Sequence, residues 1–358
     1  MMETVDDLIT LAGEQDSPEG ALGFLERAAR LADGQGDRAA GFRARGELVR
    51  AASFSGFPDK ALIHFAWLLG TFDRHRAQFG PQAYSLMWMY KWILAAAVDN
   101  PAFPLARLAK LRADFERRAR EFGSGLHYAA YHRLMLATHV GDAAEAQRAF
   151  LAWRSLPRDS LSDCPACEQN KVMVYYAERG NPAAAVKLGR EIIEQGMSCH
   201  NVPTVTHAHL LRPLLSLGRY GEARAAHEEG LRLARLDRNF IETIAGHLHF
   251  LVATGEAGAA LPVWAEHLDL ALGIRNQADL FEFLAASAVL WRALGSGPGV
   301  EVRLPRTFAL YRGDHTYSPA QLAAHFEREA AALAARFDER NGTTRFADRL
   351  RESLSLQA

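Results

Sequence analysis

Apolar residues return at every third or fourth position through most of the chain. In "EARAAHEEGLRLARL" (residues 222–236) they alternate with charged residues at helical spacing, and Ala, Leu, Arg and Glu, all good helix formers, dominate. Period-two runs of Val, Ile and Thr bounded by turn residues do not occur before about residue 300. The pattern therefore predicts an all-α protein.

The helices come in a repeated unit. A turn containing Gly, Asn or Asp is followed by an alanine and, four residues later, by a bulky residue. Ala21 and Leu25, Ala61 and Phe65, Ala146 and Phe150, Ala223 and His227, and Ala260 and Trp264 are the clear copies. Weaker ones surround Leu105 and Ala185. Gly suits the left-handed position that ends a helix, and Asp, Asn or Pro suits the start of the next. The small residue lets two helices approach, and the bulky one a turn later fills the gap between them. The spacing of the turns, about 37 to 44 residues, is that of helix-pair repeats.

These copies, clearest in "LLSLGRYGEARAAHEEGLRLA", resemble the tetratricopeptide repeat over roughly residues 15 to 295, with a period longer than the about 34 residues usual there. The resemblance implies a right-handed α-α superhelix, here a repeat array over 1–295 followed by an extended loop and a helical C-terminal cap over 296–358. "SDCPACEQN", "RLPRTFALY" and "FDERNGTTRFADRL" also make the whole chain similar to a bacterial group of such proteins, a likeness that implies no activity. Within the last segment, Gly295 to Pro319 reads as an extended loop with a short strand. Two helices are then predicted over 319–337 and 343–354, the first opened by Ser318 and Pro319.

Such repeats bind through a concave face lined by the first helix of each pair. Counting back from each repeat alanine to the positions the resemblance assigns to that face selects Arg43, Arg50, Met87, Tyr90, Tyr128, Tyr131, Asn170, Arg212 and His249. Aromatic and Met side chains flanked by Arg and Asn suit an extended peptide or protein segment. Packing between helices is the competing reading for the same residues.

Composition narrows the partners. Of 358 residues, 49% are apolar and 23% charged, with a formal charge of −1. That balance gives no electrostatic ground for nucleic acid or an anionic membrane as partner. The longest apolar stretch, residues 86–98, is interrupted by Lys91 and is too short to span a bilayer. The acidic start "MMETVDDLIT" lacks the features of a cleavable signal. Three cysteines do not make a disulfide framework. The expected compartment is the cytoplasm.

Those cysteines supply the candidate chemistry. Cys164 and Cys167 stand at the start of one repeat's first helix, and Cys199 stands just before the equivalent helix of the next. Neighbouring first helices lie side by side, so three sulfurs can meet at one edge. Tetrahedral zinc needs a fourth ligand; His200 is the local candidate, with His207 and His127 further off. Inert thiols and a redox pair are the alternatives. His207 with His209, and His247 with His249, are two apart and so lie on different helix faces, which excludes the i, i+4 chelation of zinc proteases. They read as structural histidines, and His227 reads as packing. No nucleotide-binding, nucleophile-elbow or zinc-protease motif occurs. The expectation is a non-enzymatic protein- or peptide-binding scaffold. The alternatives are a zinc-dependent or redox-sensing regulator built on the cysteines, and a peptide-signal receptor. Oligomeric state is not legible.

Overall fold

The turns and repeats noted above become helix boundaries in a computed structural model, which describes residues 3–355 apart from Ser296 and Pro298. The expected limit between repeat array and cap abuts Ser296 and so lies beside a position outside the described residues. Inter-residue contacts divide the chain into two units, residues 1–162 with 274–276, and residues 163–273 with 277–358.

In the first unit the helices are α1 (Val5–Gly13), α2 (Pro18–Gln35), α3 (Arg38–Ser53), α4 (Pro58–Arg74), the short α5 (Arg76–Phe79), α6 (Ala83–Val98), α7 (Leu105–Phe122), α8 (Leu126–Val140) and α9 (Ala143–Ser155). Each packs mainly on its sequence neighbours: α1 on α2, α3 on α4, α6 on α7 and α8 on α9. Local chemistry sets the boundaries. Ser17, Asp37 and Asp142 accept the backbone N–H of Gly20, Ala40 and Glu145 at helix starts. Gly36, Gly123 and Gly141 end helices with φ of 68°, 78° and 83°, where a Cβ would be strained. The core runs through Phe65, Tyr90, Phe115 and Tyr128, whose rings meet in sequence at 5.0, 5.4 and 5.8 Å.

The second unit continues with α10 (Pro165–Glu178), α11 (Pro182–Glu194), α12 (Thr204–Ser216), α13 (Tyr220–Ala234), α14 (Ile241–Ala253), α15 (Ala257–Gly273), α16 (Gln277–Ala293), α17 (Pro319–Asn341) and α18 (Arg345–Leu354). Successive helices again form pairs, and first helices also touch one another, α10 with α12, α12 with α14 and α14 with α16. Between α16 and α17 two short strands, β1 (Val300–Glu301) and β2 (Thr316–Tyr317), pair antiparallel with Val300 opposite Tyr317. Ser318 caps α17 through the N–H of Gln321, with Pro319 in the first turn. Among the described residues no helix is long and apolar enough to cross a membrane.

The alanine signature marks the second helix of each pair. Ala61, Ala185, Ala223 and Ala260 are fully buried, and so is Trp264, one turn beyond the last of them. Close approach is evident on α13. A Cβ on Gly230 would stand 2.6 Å from the His207 Cβ and 2.9 Å from the His247 ring. Gly230→Ala is therefore expected to cost about 1–3 kcal/mol by overpacking, despite alanine's better helix propensity. On α2, a Cβ at Gly23 meets nothing within 4 Å, so Gly23→Ala should gain up to about 1 kcal/mol. Denaturant melts of the two variants check the pair; equal shifts would remove the close-packing explanation.

Candidate metal centre

Cys164 is the N-cap of α10, and its sulfur accepts the N–H of Cys167 at 3.4 Å. Pro165 fixes the first helical turn, so the Cys-Pro-Ala-Cys spacing folds both sulfurs back over the helix start. Cys199 sits in the connection between α11 and α12. There its N–H donates to the Val202 carbonyl at 2.9 Å, while the Val202 N–H donates to the Cys199 sulfur at 3.4 Å. This tight turn presents the third sulfur to the other two. The Cys167 and Cys199 sulfurs are 3.0 Å apart, and all three lie within 4.8 Å of one another. Buried Ala166, Ile192 and Val202 form the apolar bed beneath them, with Met197 and Val205 alongside. The three thiols themselves are half-buried, so the group is reachable from solvent.

The electrostatics separate the sulfurs. Burial pushes the Cys167 thiol up, and the adjoining Cys199 and Cys164 sulfurs push it further. At Cys199 burial works in the same direction, but the Cys167 thiol and the backbone N–H groups of Val202 and Asn201 outweigh it and hold the group below its ordinary value. Three thiolates around one zinc, at about 2.3 Å from the ion, stand roughly 3.8 Å apart. The Cys167–Cys199 contact is shorter than that value, and the 4.8 Å limit on all three sulfurs accommodates it. The group could hold a metal ion.

The imidazoles expected to complete the group do not join it. His200 is exposed, and among the described residues the converging ligand set contains the three cysteines alone. His127 is buried in the first unit, where its Nε2 accepts the Trp153 indole N–H at 2.8 Å. His207 is buried against α13. His207 and His247 turn to the α13 side while His209 meets Asn170 on α10, as two-residue spacing on a helix requires. His227, read as packing, does pack: it stacks on Phe250 at 4.8 Å and sets its Nδ1 3.1 Å from that of His247.

Several of the side chains expected on the peptide groove pack between helices, the competing reading of the same residues. Met87, Tyr90, Tyr128 and Asn170 are buried. The Tyr90 hydroxyl donates to the Asp114 carboxylate at 3.0 Å and that of Tyr128 to the Lys91 carbonyl at 2.9 Å. Asn170 accepts the Thr206 hydroxyl at 2.9 Å. These side chains close the gaps between adjacent helices. Tyr131 is half-buried against Trp153 at 5.1 Å. Arg43 and Arg50 are exposed but paired with Asp6 and Glu47. Arg212 is exposed and lies 4.0 Å from Glu352 of α18; His249 is half-buried.

Acidic residues, of which the same backward count selects Glu242 alone, and an arginine of α18 lie near these last two. Glu282 of α16 pairs with Arg349 of α18 at 2.6 Å, and Glu178 and Glu242 stand within electrostatic reach of the same guanidinium. The alternation of basic and apolar residues in "RFADRL" (345–350) was the available signal. No protein-family model matches the chain, and no curated protein matches it either.

Proposed function

We propose that the chain is a metal-dependent helical-repeat protein in which Cys164, Cys167 and Cys199 hold a zinc ion. The observation that supports this reading is the convergence of three sulfurs from two separate helix starts, two of them already accepting backbone N–H bonds. Zinc there would tie the start of α10 to the α11–α12 connection and so lock two repeats in register. The fourth ligand is then water, a small thiol, a partner's side chain, or His200 after a local rearrangement. An exchangeable fourth ligand suits a regulatory centre better than a purely structural one, since structural zinc is bound by four protein ligands.

Metal analysis of protein purified with its thiols reduced tests this. The expected result is about one zinc per chain, lost in Cys164→Ser, Cys167→Ser and Cys199→Ser. Cobalt substitution should give the intense near-ultraviolet thiolate-to-metal bands of a three-sulfur site. Retention of zinc by His200→Ala assigns the fourth position to a ligand other than His200. Metal-free protein with reduced thiols, unable to take up zinc, rejects the proposal.

The 3.0 Å contact of Cys167 and Cys199 favours a redox reading as the second choice. A peroxide would oxidise the two thiols to a disulfide; its O–O bond breaks and, with both thiol hydrogens, it leaves as one alcohol and one water, or as two waters from hydrogen peroxide. Such a bond would remove two zinc ligands at once. Intact-mass measurement after peroxide treatment, with and without zinc, separates the two readings.

A further inference from the structure

The three sulfurs depart from a closed zinc site in two respects. Among the described residues the converging ligand set ends at Cys164, Cys167 and Cys199, whereas zinc fills a fourth position. The Cys167 and Cys199 sulfurs also stand 3.0 Å apart, closer than the roughly 3.8 Å between thiolates that share one zinc ion. Both features suit an element that takes three sulfurs in a narrow pyramid and needs no further ligand.

Trivalent arsenic is such an element. Its lone pair occupies the fourth direction and presses the three As–S bonds toward right angles, which draws the sulfurs closer together than a tetrahedron does. Soft sulfur ligands match this soft acceptor. The sulfur positions are set by the backbone: the Cys167 N–H donates to the Cys164 sulfur and the Val202 N–H to the Cys199 sulfur, both at 3.4 Å. The trio is thus organised before anything binds, which lowers the cost of capture. Half-buried thiols leave the group open to a small molecule.

Charge points the same way. Three thiolates on doubly charged zinc leave a net negative charge above the apolar bed of Ala166, Ile192 and Val202, and charge beside apolar surroundings is costly. Lys171, one turn beyond Cys167 on α10, is paired with Asp163. The arsenic centre is neutral. Arsenous acid exchanges its three hydroxides for three thiols: three As–O and three S–H bonds break, three As–S bonds form, and three waters leave. Arsenic keeps its oxidation state. Where zinc is bound first, the ion departs and solvent supplies the three protons.

We propose that the centre formed by Cys164, Cys167 and Cys199 captures trivalent arsenic, supplied as arsenous acid, which closes it as a three-sulfur pyramid and expels zinc. The proposal rests on the reading of these cysteines as a metal centre and gives that centre a second ligand class. Bound arsenic ties the start of α10 to the α11–α12 connection through covalent bonds, where zinc would do so through coordination.

Titration of arsenite into the zinc-loaded chain, with no free thiol present, provides the test. About one zinc should be released per arsenic bound, followed with a zinc-chelating dye. X-ray absorption at the arsenic edge should show three sulfur neighbours and no oxygen, a readout that needs no variant. Cys164→Ser, Cys167→Ser and Cys199→Ser should each lower arsenite affinity about 100-fold or more, because each removes one arm of a three-armed chelate. Phenylarsine oxide, which has room for two sulfurs only, should lose far less affinity in the same variants. Two sulfurs and one oxygen at the arsenic, or serine variants that bind arsenite as tightly as the native chain, overturn the proposal. Zinc retained against excess arsenite overturns it as well and leaves the zinc reading standing. Arsenic taken up as a three-sulfur centre by a chain that takes no zinc overturns the zinc reading and upholds this one.

Discussion

Acidification from about pH 7 to about pH 4.5 is expected to unfold the second unit, with several protons taken up per molecule and recovery on return to neutrality. The cause is a set of histidines held neutral inside the helix pairs. Burial lowers His227 to about 4 and His247 to about 3, the latter further depressed by the neighbouring His227, His207 and His267. Burial also lowers His209 and His249 to about 4. Each group titrates near 6.5 when unfolded, so the unfolded chain binds more protons throughout the window between that value and the folded one. Stability is therefore complete above about pH 6.5 and falls by about 1.4 kcal/mol per pH unit for each such histidine until the folded value is passed. His227 and His247 alone are asked for several kcal/mol, on the order of the whole stability of a domain. Burial raises Glu178 and Glu282 instead; their protonation favours the fold as pH falls and offsets part of the loss. The surface carboxylates held low by arginines, such as Glu222 and Glu256, lose their contribution only below about 4.5.

Circular dichroism against pH, with proton uptake measured alongside, checks the expectation. Replacing His227 and His247 together by leucine should lower the acid midpoint and reduce the uptake by up to about two protons. An unchanged midpoint in that variant would mean that carboxylates, not histidines, set the acid limit.

How far the sequence revealed this depends on the range of the interaction concerned. The second helix of each pair was legible because a small residue and a bulky one four positions on lie on the same helix face, so local spacing encodes their packing. Ala260 and Trp264 read directly as buried, and so they are. The meeting of the three cysteines was legible for a related reason: Cys164 and Cys167 stand at the start of one first helix and Cys199 in the connection leading to the next, and the two segments come together. For Tyr90, Tyr128 and Asn170 the sequence left groove and packing open, because first-helix residues supply both, and their partners Asp114, Lys91 and Thr206 lie on other helices that no local spacing identifies. His200 follows Cys199 in sequence yet faces solvent, since the Cys199–Val202 turn aims only the sulfur inward. The pairing of Arg349 with Glu282 joins helices from distant parts of the sequence, and no local pattern announces it.

Arg118→Ala is expected to destabilise the first unit by about 1–3 kcal/mol, the range for charged hydrogen bonds lost from a buried guanidinium whose carboxylate partners are partly in solvent. Arg118 on α7 is buried, and it bonds both oxygens of Asp73 on α4 at 2.8 and 2.6 Å and the Asp114 carboxylate at 2.7 Å. Asp114 in turn accepts the Tyr90 hydroxyl of α6. One guanidinium thus ties three helices whose aromatic rings form the core beneath it. Bonds to Arg118 lower Asp73, and at Asp114 they and the bond from Arg117 overcome the opposing effect of burial. Alanine would leave Asp114 with only the more exposed Arg117, and Asp73 with only Arg76, as compensating cations. The loss is expected to be much smaller in Arg118→Met with Asp73→Asn, because the cost lies mainly in the stranded charge and not in the absent attraction. Hydrogen exchange locates the effect: amides of α4, α6 and α7 should lose protection while those of α12 to α16 keep theirs. A double variant as unstable as Arg118→Ala would show that the arginine acts through packing of its stem over the core, and that the ion pair itself contributes little.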